Sequence, residues 1–143
     1  MPHRFDPLLR GLNLKSTPKR RAILDILAAA GGYASPEEVW QQLKVRFARI
    51  GLPTVYRNLE ELAAKGVVST IHHPNRQLYY YLCRSRCHHH HFVCLACRRV
   101  EELEFCAIGQ IEEAVTGRVD SHIIQANGLC RECLVQEAHG VRS

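Results

Sequence analysis

The sequence predicts an α+β chain in two unlike parts: an N-terminal winged helix-turn-helix domain over residues 1–83 and a small α/β domain over 84–143. Three observations predict it. Capped, helix-periodic segments run up to Gly66, strand-like alternation replaces them immediately afterwards, and all seven cysteines lie after Leu82, six of them in the second part and Cys83 at the boundary. At 143 residues the chain is one domain or two compact half-size units, with no room for a large catalytic scaffold.

The first helix opens at Thr17-Pro18, a cap residue before a helix-starting proline, and carries an apolar stripe of Ala22, Ile23, Ile26, Leu27 and Ala30. Gly31-Gly32 ends it. Ser35-Pro36-Glu37-Glu38 combines an N-cap, a proline and a capping-box glutamate, and leads a second helix through Val39, Trp40 and Leu43. The third helix starts at Gly51-Leu52-Pro53-Thr54, turns Val55, Leu59 and Leu62 inward and stops at Gly66; its other face carries Thr54, Tyr56, Arg57 and Asn58. Val67 to Ile71 and Leu78 to Leu82 then form a hairpin across the turn His72 to Arg76. In such an arrangement the third helix enters a major groove and the hairpin lies near the backbone, which makes Tyr56 and Arg57 candidate readers of DNA.

In the second part, Cys94-Leu95-Ala96-Cys97 and Cys130-Arg131-Glu132-Cys133 have the spacing that lets two thiolates converge on a tetrahedral Zn²⁺ from one tight turn. Together they predict one closed four-thiolate site. The 32 residues between the pairs form a small subdomain stapled by that metal. Four histidines, His88 to His91, lead into an apolar strand, so His88 and His90 point to one face and His89 and His91 to the other. Arg99 to Phe105 alternates again, and a hairpin through the first cysteine pair carries Glu102 back toward the histidines. Ile108 to Val115 reads as a helix, Ser121 to Leu129 as a strand bearing His122, and Glu132 to Ala138 as a terminal helix. Glu112, Glu113 and Glu137 read as solvated.

Charge separates the two parts as sharply as cysteine does. Residues 1–82 carry twelve basic and six acidic groups; residues 83–143 carry seven basic and eight acidic. A basic first half suits a polyanion such as nucleic acid. No stretch of about 18 apolar residues is present and the start lacks an apolar leader, so the expectation is a cytoplasmic protein with no membrane partner. In that setting seven thiols point to metal rather than disulfides. A zinc hydrolase or deaminase would need HExxH, or HxE followed by PCxxC, and neither is present. We therefore expect no enzyme and no small-molecule substrate. A metal buffer using the histidines for storage leaves the basic, helix-rich first half unexplained.

Thr54-Val55-Tyr56-Arg57-Asn58-Leu59, the run from His88 to Cys97, Gly128 to Cys133, and the earlier Leu14 to Arg21 occur here in one order. Taken together, they resemble the ferric uptake regulator family of bacterial metal-dependent repressors, over nearly the whole chain. The resemblance implies a homodimer joined through the α/β domain that binds an AT-rich inverted-repeat operator in double-stranded DNA when metal-loaded. It implies a structural zinc on Cys94, Cys97, Cys130 and Cys133, and a regulatory site near the domain boundary containing His89, His91 and Glu102. A second site contains His88, His90 and His122; the family completes it with a glutamate where this chain has Gly109, and Glu112 is the nearest replacement. Lys15 matches a minor-groove contact, and Tyr56 and Arg57 match major-groove contacts.

Members of the family sense zinc, iron, manganese, nickel or peroxide. Iron- and peroxide-type members place a histidine ligand where this chain has Tyr33. Zinc-type members resemble it in a thiolate soon after the wing, here Cys83, with His72 or His73 as a further donor. Thiolate with imidazole suits Zn²⁺ better than Fe²⁺ or Mn²⁺, so the regulatory ion is expected to be zinc, with an iron-, manganese- or peroxide-sensing member as the alternative. Cys87 and Cys106 receive no role.

Overall fold

The computed structural model describes residues 2–84 and 88–140. Cys87 lies outside the described residues. The chain divides into two compact units, Met1–Cys83 and Arg84–Ser143.

The first unit contains α1 (Asp6–Gly11), α2 (Pro18–Ala30), α3 (Pro36–Arg46), α4 (Leu52–Ala64), β1 (Val68–His72) and β2 (Leu78–Leu82). Each long helix starts as its local chemistry dictates. Thr17 Oγ1 accepts the Arg20 N–H at 3.2 Å, and Gly31 closes α2 in the left-handed region at φ +68°. At α3 the capping box is reciprocal: Ser35 Oγ accepts the Glu38 N–H at 3.1 Å, and the Glu38 carboxylate accepts the Ser35 N–H at 2.8 Å. Gly66, at φ +75°, turns the chain out of α4 into the hairpin.

Helix α1 is absent from the sequence reading, and its composition explains why. It is six residues long and buries one apolar side chain, Leu9, so no periodicity can show. A polar hub fixes it instead: Asp6 accepts from the Ser16 hydroxyl, from the His3 N–H at 2.8 Å and from Arg21 Nε at 3.1 Å. These bonds, Ser16 first and His3 second, hold the Asp6 carboxyl down at about 2.

β1 and β2 pair antiparallel from Val68↔Leu82 to His72↔Leu78. Ala34 extends the hairpin by exchanging both backbone hydrogen bonds with Tyr80, at 2.9 and 2.8 Å. One core gathers α1 to α4 and the hairpin around Leu9, Ile23, Leu27, Leu43, Val55, Leu59 and Leu62.

The second unit contains β3 (His90–Cys94), β4 (Val100–Leu103), α5 (Ile108–Ala114), β5 (Gln125–Gly128) and α6 (Arg131–Ala138). Its sheet runs β4-β3-β5, with β3 antiparallel to β4 and parallel to β5. Two expected strands are shorter than their alternation suggests. Val100–Leu103 replaces 99–105, and only Gln125–Gly128 of 121–129 is strand. Strand β3 is five residues long, and its register with β5 runs from His91↔Gln125 to Cys94↔Gly128. Ser121 to Ile124 therefore precede the ladder, and His122 reaches its neighbours from an irregular segment. Among the described residues of this unit Cys94, Cys130 and Cys133 form a buried cluster, flanked by Phe92 and Leu129. No helix among the described residues is long and apolar enough to cross a membrane.

Leu59 is fully buried in the middle of α4. Leu59→Ala is expected to destabilise the first unit by about 2–5 kcal/mol, the usual cost of a large-to-small change in a packed core, read as a lowered midpoint in urea denaturation.

Candidate metal centres and nucleic-acid surface

The two cysteine pairs converge. The four sulfurs of Cys94, Cys97, Cys130 and Cys133 lie within 4.8 Å of one another, with Cys97 and Cys130 at 3.6 Å. Four sulfurs about 2.3 Å from a tetrahedral Zn²⁺ are separated by about 3.8 Å, so the set fits that ion. Backbone geometry builds the corner: Arg98 takes a left-handed φ of +72° to close the first turn, Cys94 donates its N–H to Arg99 O at 2.8 Å, and Cys130 donates its N–H to Cys94 Sγ at 3.3 Å. Burial pushes the Cys94 thiol up, but backbone N–H groups of Cys97, Cys130 and Ala96 outweigh it and bring it down to about 6. Burial drives Cys133 the other way, up to about 12, reinforced by hydrogen bonds from Cys130 and Cys97. Such a set holds one thiolate easily and four only around a cation.

The histidine run divides by parity. His89 and His91 share one face, their rings 4.7 Å apart, and His88 and His90 share the other at the same separation. On the first face Glu102, directly opposite His91 in the β3–β4 register, brings Oε1 to 3.3 Å from His89 Nε2. Its other oxygen accepts the Arg84 N–H at 3.0 Å, which fixes the carboxylate. Burial, helped by the neighbouring His89, pulls His91 down to about 4, leaving its imidazole neutral and able to bind a metal at neutral pH.

On the second face His88, His90 and His122 are joined by Cys106, from the β4–α5 connection, with all four donor atoms within 4.8 Å. The replacement considered for the missing family glutamate is corrected here. Glu112 is exposed on α5 and not in the set, and a Cβ on Gly109 would point into open space. Sequence reasoning missed Cys106 because it belongs to no spaced motif and meets the histidines only through the fold.

Cys83 and His72 both lie in the first unit, at opposite ends of the hairpin. Cys83 donates its N–H to Val67 O at 3.2 Å and is buried beside Ser69, while His72 stands opposite Leu78. Five residues of strand separate those levels, about 17 Å, so the two do not share an ion. Tyr33, at the position of an iron-type ligand, is buried against the edge of Tyr79 with ring centroids 4.9 Å apart.

Lys15 and Arg57 are exposed, and Thr54 and Tyr56 are half-buried. The Tyr56 hydroxyl donates to Glu37 at 2.8 Å, a bond that raises its pKa. Asn58 faces inward: its amide donates to Thr54 O at 2.9 Å and accepts from Arg20 Nε at 3.2 Å, so it braces the helix rather than presenting itself to a partner. Arg20, read only as part of a helix-opening segment, is the organiser. Buried at 8% exposure, it also bonds Lys15 O at 3.1 Å and pairs with Glu61, tying the Lys15 segment and α4 to α2.

The Ferric uptake regulator family model matches residues 11–127. The chain is 31% identical over 143 residues to a ferric uptake regulation protein of Bacillus subtilis, covering 93% of this chain and 96% of the relative. It is 25% identical over 135 residues to the peroxide operon regulator of the same organism, covering 92% of each. Among solved structures, a zinc uptake regulator complexed with zinc and DNA superposes with a TM-score of 0.77 at 26% identity, covering 93% of this chain and 92% of that one. A winged helix-turn-helix domain, a small α/β domain and the matched length together make this chain a member of the ferric uptake regulator family.

Proposed function

We propose that the protein is a zinc-responsive transcriptional repressor that binds an AT-rich inverted-repeat operator as a homodimer when its regulatory site is loaded. The observation that carries the reading is His89, His91 and Glu102 on one face of the β3–β4 pair, in a chain whose other unit is a winged helix. As a member of its family the protein regulates transcription and is not an enzyme.

On this reading Cys94, Cys97, Cys130 and Cys133 hold a structural Zn²⁺. His89, His91 and Glu102 hold the regulatory ion; Cys83, six residues ahead of His89 in the sequence, supplies the soft donor that tilts the choice from Fe²⁺ and Mn²⁺ toward zinc. The likeness to a zinc uptake regulator supports the same choice. The homodimer draws support from apolar side chains that the second unit leaves exposed, Ile123, Leu134 and Val135. For DNA, Arg57 and Lys15 supply exposed cations, and Tyr56 stands beside Arg57 on α4. Metal bound at the regulatory site acts by differential affinity: it favours the DNA-competent state by as much as it binds that state more tightly.

The experiment is binding to an AT-rich inverted-repeat duplex with free Zn²⁺ buffered across the sub-nanomolar range and Fe²⁺ and Mn²⁺ run in parallel. Zinc should switch binding on, and the paired change His89→Ala with His91→Ala should abolish the switch while dimer mass and cysteine-bound zinc stay unchanged. A response to Fe²⁺ or Mn²⁺ alone would make the protein an iron-, manganese- or peroxide-type sensor instead. Arg57→Ala is expected to weaken operator binding by about 1–3 kcal/mol, the range for losing one base-reading contact, and to relax preference at one position of each half-site. Cys94→Ser should lose the structural zinc and unfold the second unit, seen as lost far-ultraviolet dichroism together with one equivalent of zinc.

A further inference from the structure

Cys106 is unused by the regulatory reading, yet its sulfur lies among three histidines. Its Sγ lies 3.3 Å from His88 Nε2 and 3.2 Å from His122 Nε2, and those two nitrogens are 3.2 Å apart. Three donor atoms thus form a nearly equilateral triangle. Ligands about 2.0–2.3 Å from a tetrahedral Zn²⁺ are separated by about 3.3–3.6 Å, so this triangle is close to one face of such a coordination shell. His90 supplies the fourth corner. It is only 3% exposed, its Nε2 has no hydrogen-bond partner among the described residues, and its ring lies 4.7 Å from that of His88 and 5.1 Å from that of His122. A buried imidazole nitrogen left without a partner costs free energy that a metal bond would recover.

The four side chains come from separate places: the approach to β3, its first residue, the β4–α5 connection and the segment before β5. Convergence of that kind is not a by-product of one local turn. Gly109 leaves its own position empty, and a Cβ there would meet nothing within 4 Å. The sulfur three residues earlier closes the polyhedron.

We propose that Cys106 is a metal ligand, and that His88, His90, His122 and Cys106 form a closed site of three imidazoles and one thiolate that is selective for zinc-like ions. The proposal rests on reading the second unit as metal-binding, but on neither DNA binding nor the identity of the sensed ion. The chemical consequence is a change of donor class. A carboxylate at this corner accepts Mn²⁺ or Fe²⁺ readily, whereas a thiolate with imidazoles favours Zn²⁺ and Co²⁺. With four protein donors no coordination position remains open, so the site binds an ion without offering it a substrate.

Cobalt reads the thiolate directly, because a sulfur–cobalt bond gives a near-ultraviolet charge-transfer band that imidazole and carboxylate ligands do not. The full chain is purified with its structural zinc retained and counted, in a Cys83→Ser background that removes the other described thiol outside the four-sulfur set. Titrating Co²⁺ should produce the band together with tetrahedral visible absorption. Cys106→Ser in the same background should abolish the charge-transfer band and weaken Zn²⁺ binding at this site by at least about tenfold, the lower end of what losing even an outer-shell partner costs. His122→Ala should weaken the same band while leaving every thiol present, and serves where Cys106→Ser fails to retain its structural zinc. No band in the Cys83→Ser parent, or a band that survives Cys106→Ser, overturns the proposal. Loss of operator binding with the band intact would instead count against the regulatory reading alone.

Discussion

The second unit depends on the convergence of Cys94, Cys97, Cys130 and Cys133, because its described residues bury few aliphatic side chains. In the first unit Leu9, Ile23, Leu24, Leu27, Leu43, Leu59 and Leu62 are all fully buried, along with several valines. Among its described residues the second buries Val93 and Val100 besides Cys94, Cys130, Cys133 and His90. Apolar burial on that scale does not offset the conformational entropy of ordering a small α/β domain. Sulfur takes over the task. The thiols bring β3, its following turn and the start of α6 to one point, and four thiolates held that close repel one another. A divalent cation removes that repulsion, so metal binding and folding of this unit are one free-energy term.

From that staple the rest of the site chemistry follows by parity. Fixing Cys94 at the end of β3 fixes the register of the strand, and with it which histidines look each way. His91 then stands opposite Glu102, and Val93 opposite Val100. A slip of one residue would exchange the two histidine pairs and separate Glu102 from His89. Four consecutive histidines are therefore two half-sites and not one cluster.

The sequence made some of this legible and hid the rest for physical reasons. Helices α2, α3 and α4 were readable because each combines a cap, an early proline or glycine and an apolar stripe, and the cysteine pairs because tetrahedral coordination demands their spacing. Glu102 was readable because a hairpin inverts about a known turn. Helix α1 was not, since its stability resides in the bonds of Asp6 to His3, Ser16 and Arg21, which leave no period in the sequence. The strand expected from Ser121 was overextended because alternation reports sidedness and not whether a partner strand is there. Cys106 was hidden most completely: its meaning lies in the positions of residues 16 and 18 places away.

In the first unit the candidate DNA-contacting side chains differ in how far they are already engaged within the chain. Thr54, Tyr56, Arg57 and Asn58 lie on consecutive turns of α4, and all four have side chains capable of base contact. Their hydrogen bonds separate them. Asn58 gives both ends of its amide to Thr54 and Arg20, and Tyr56 is committed to Glu37, whereas Arg57 is exposed. Arg20 in turn spends its guanidinium on Asn58, Glu61 and the Lys15 carbonyl. A buried guanidinium is costly unless its donors are satisfied in this way. The internal polar residues thus fix the backbone that carries Lys15 and Arg57, and those exposed cations are left available because the interior chemistry is already complete.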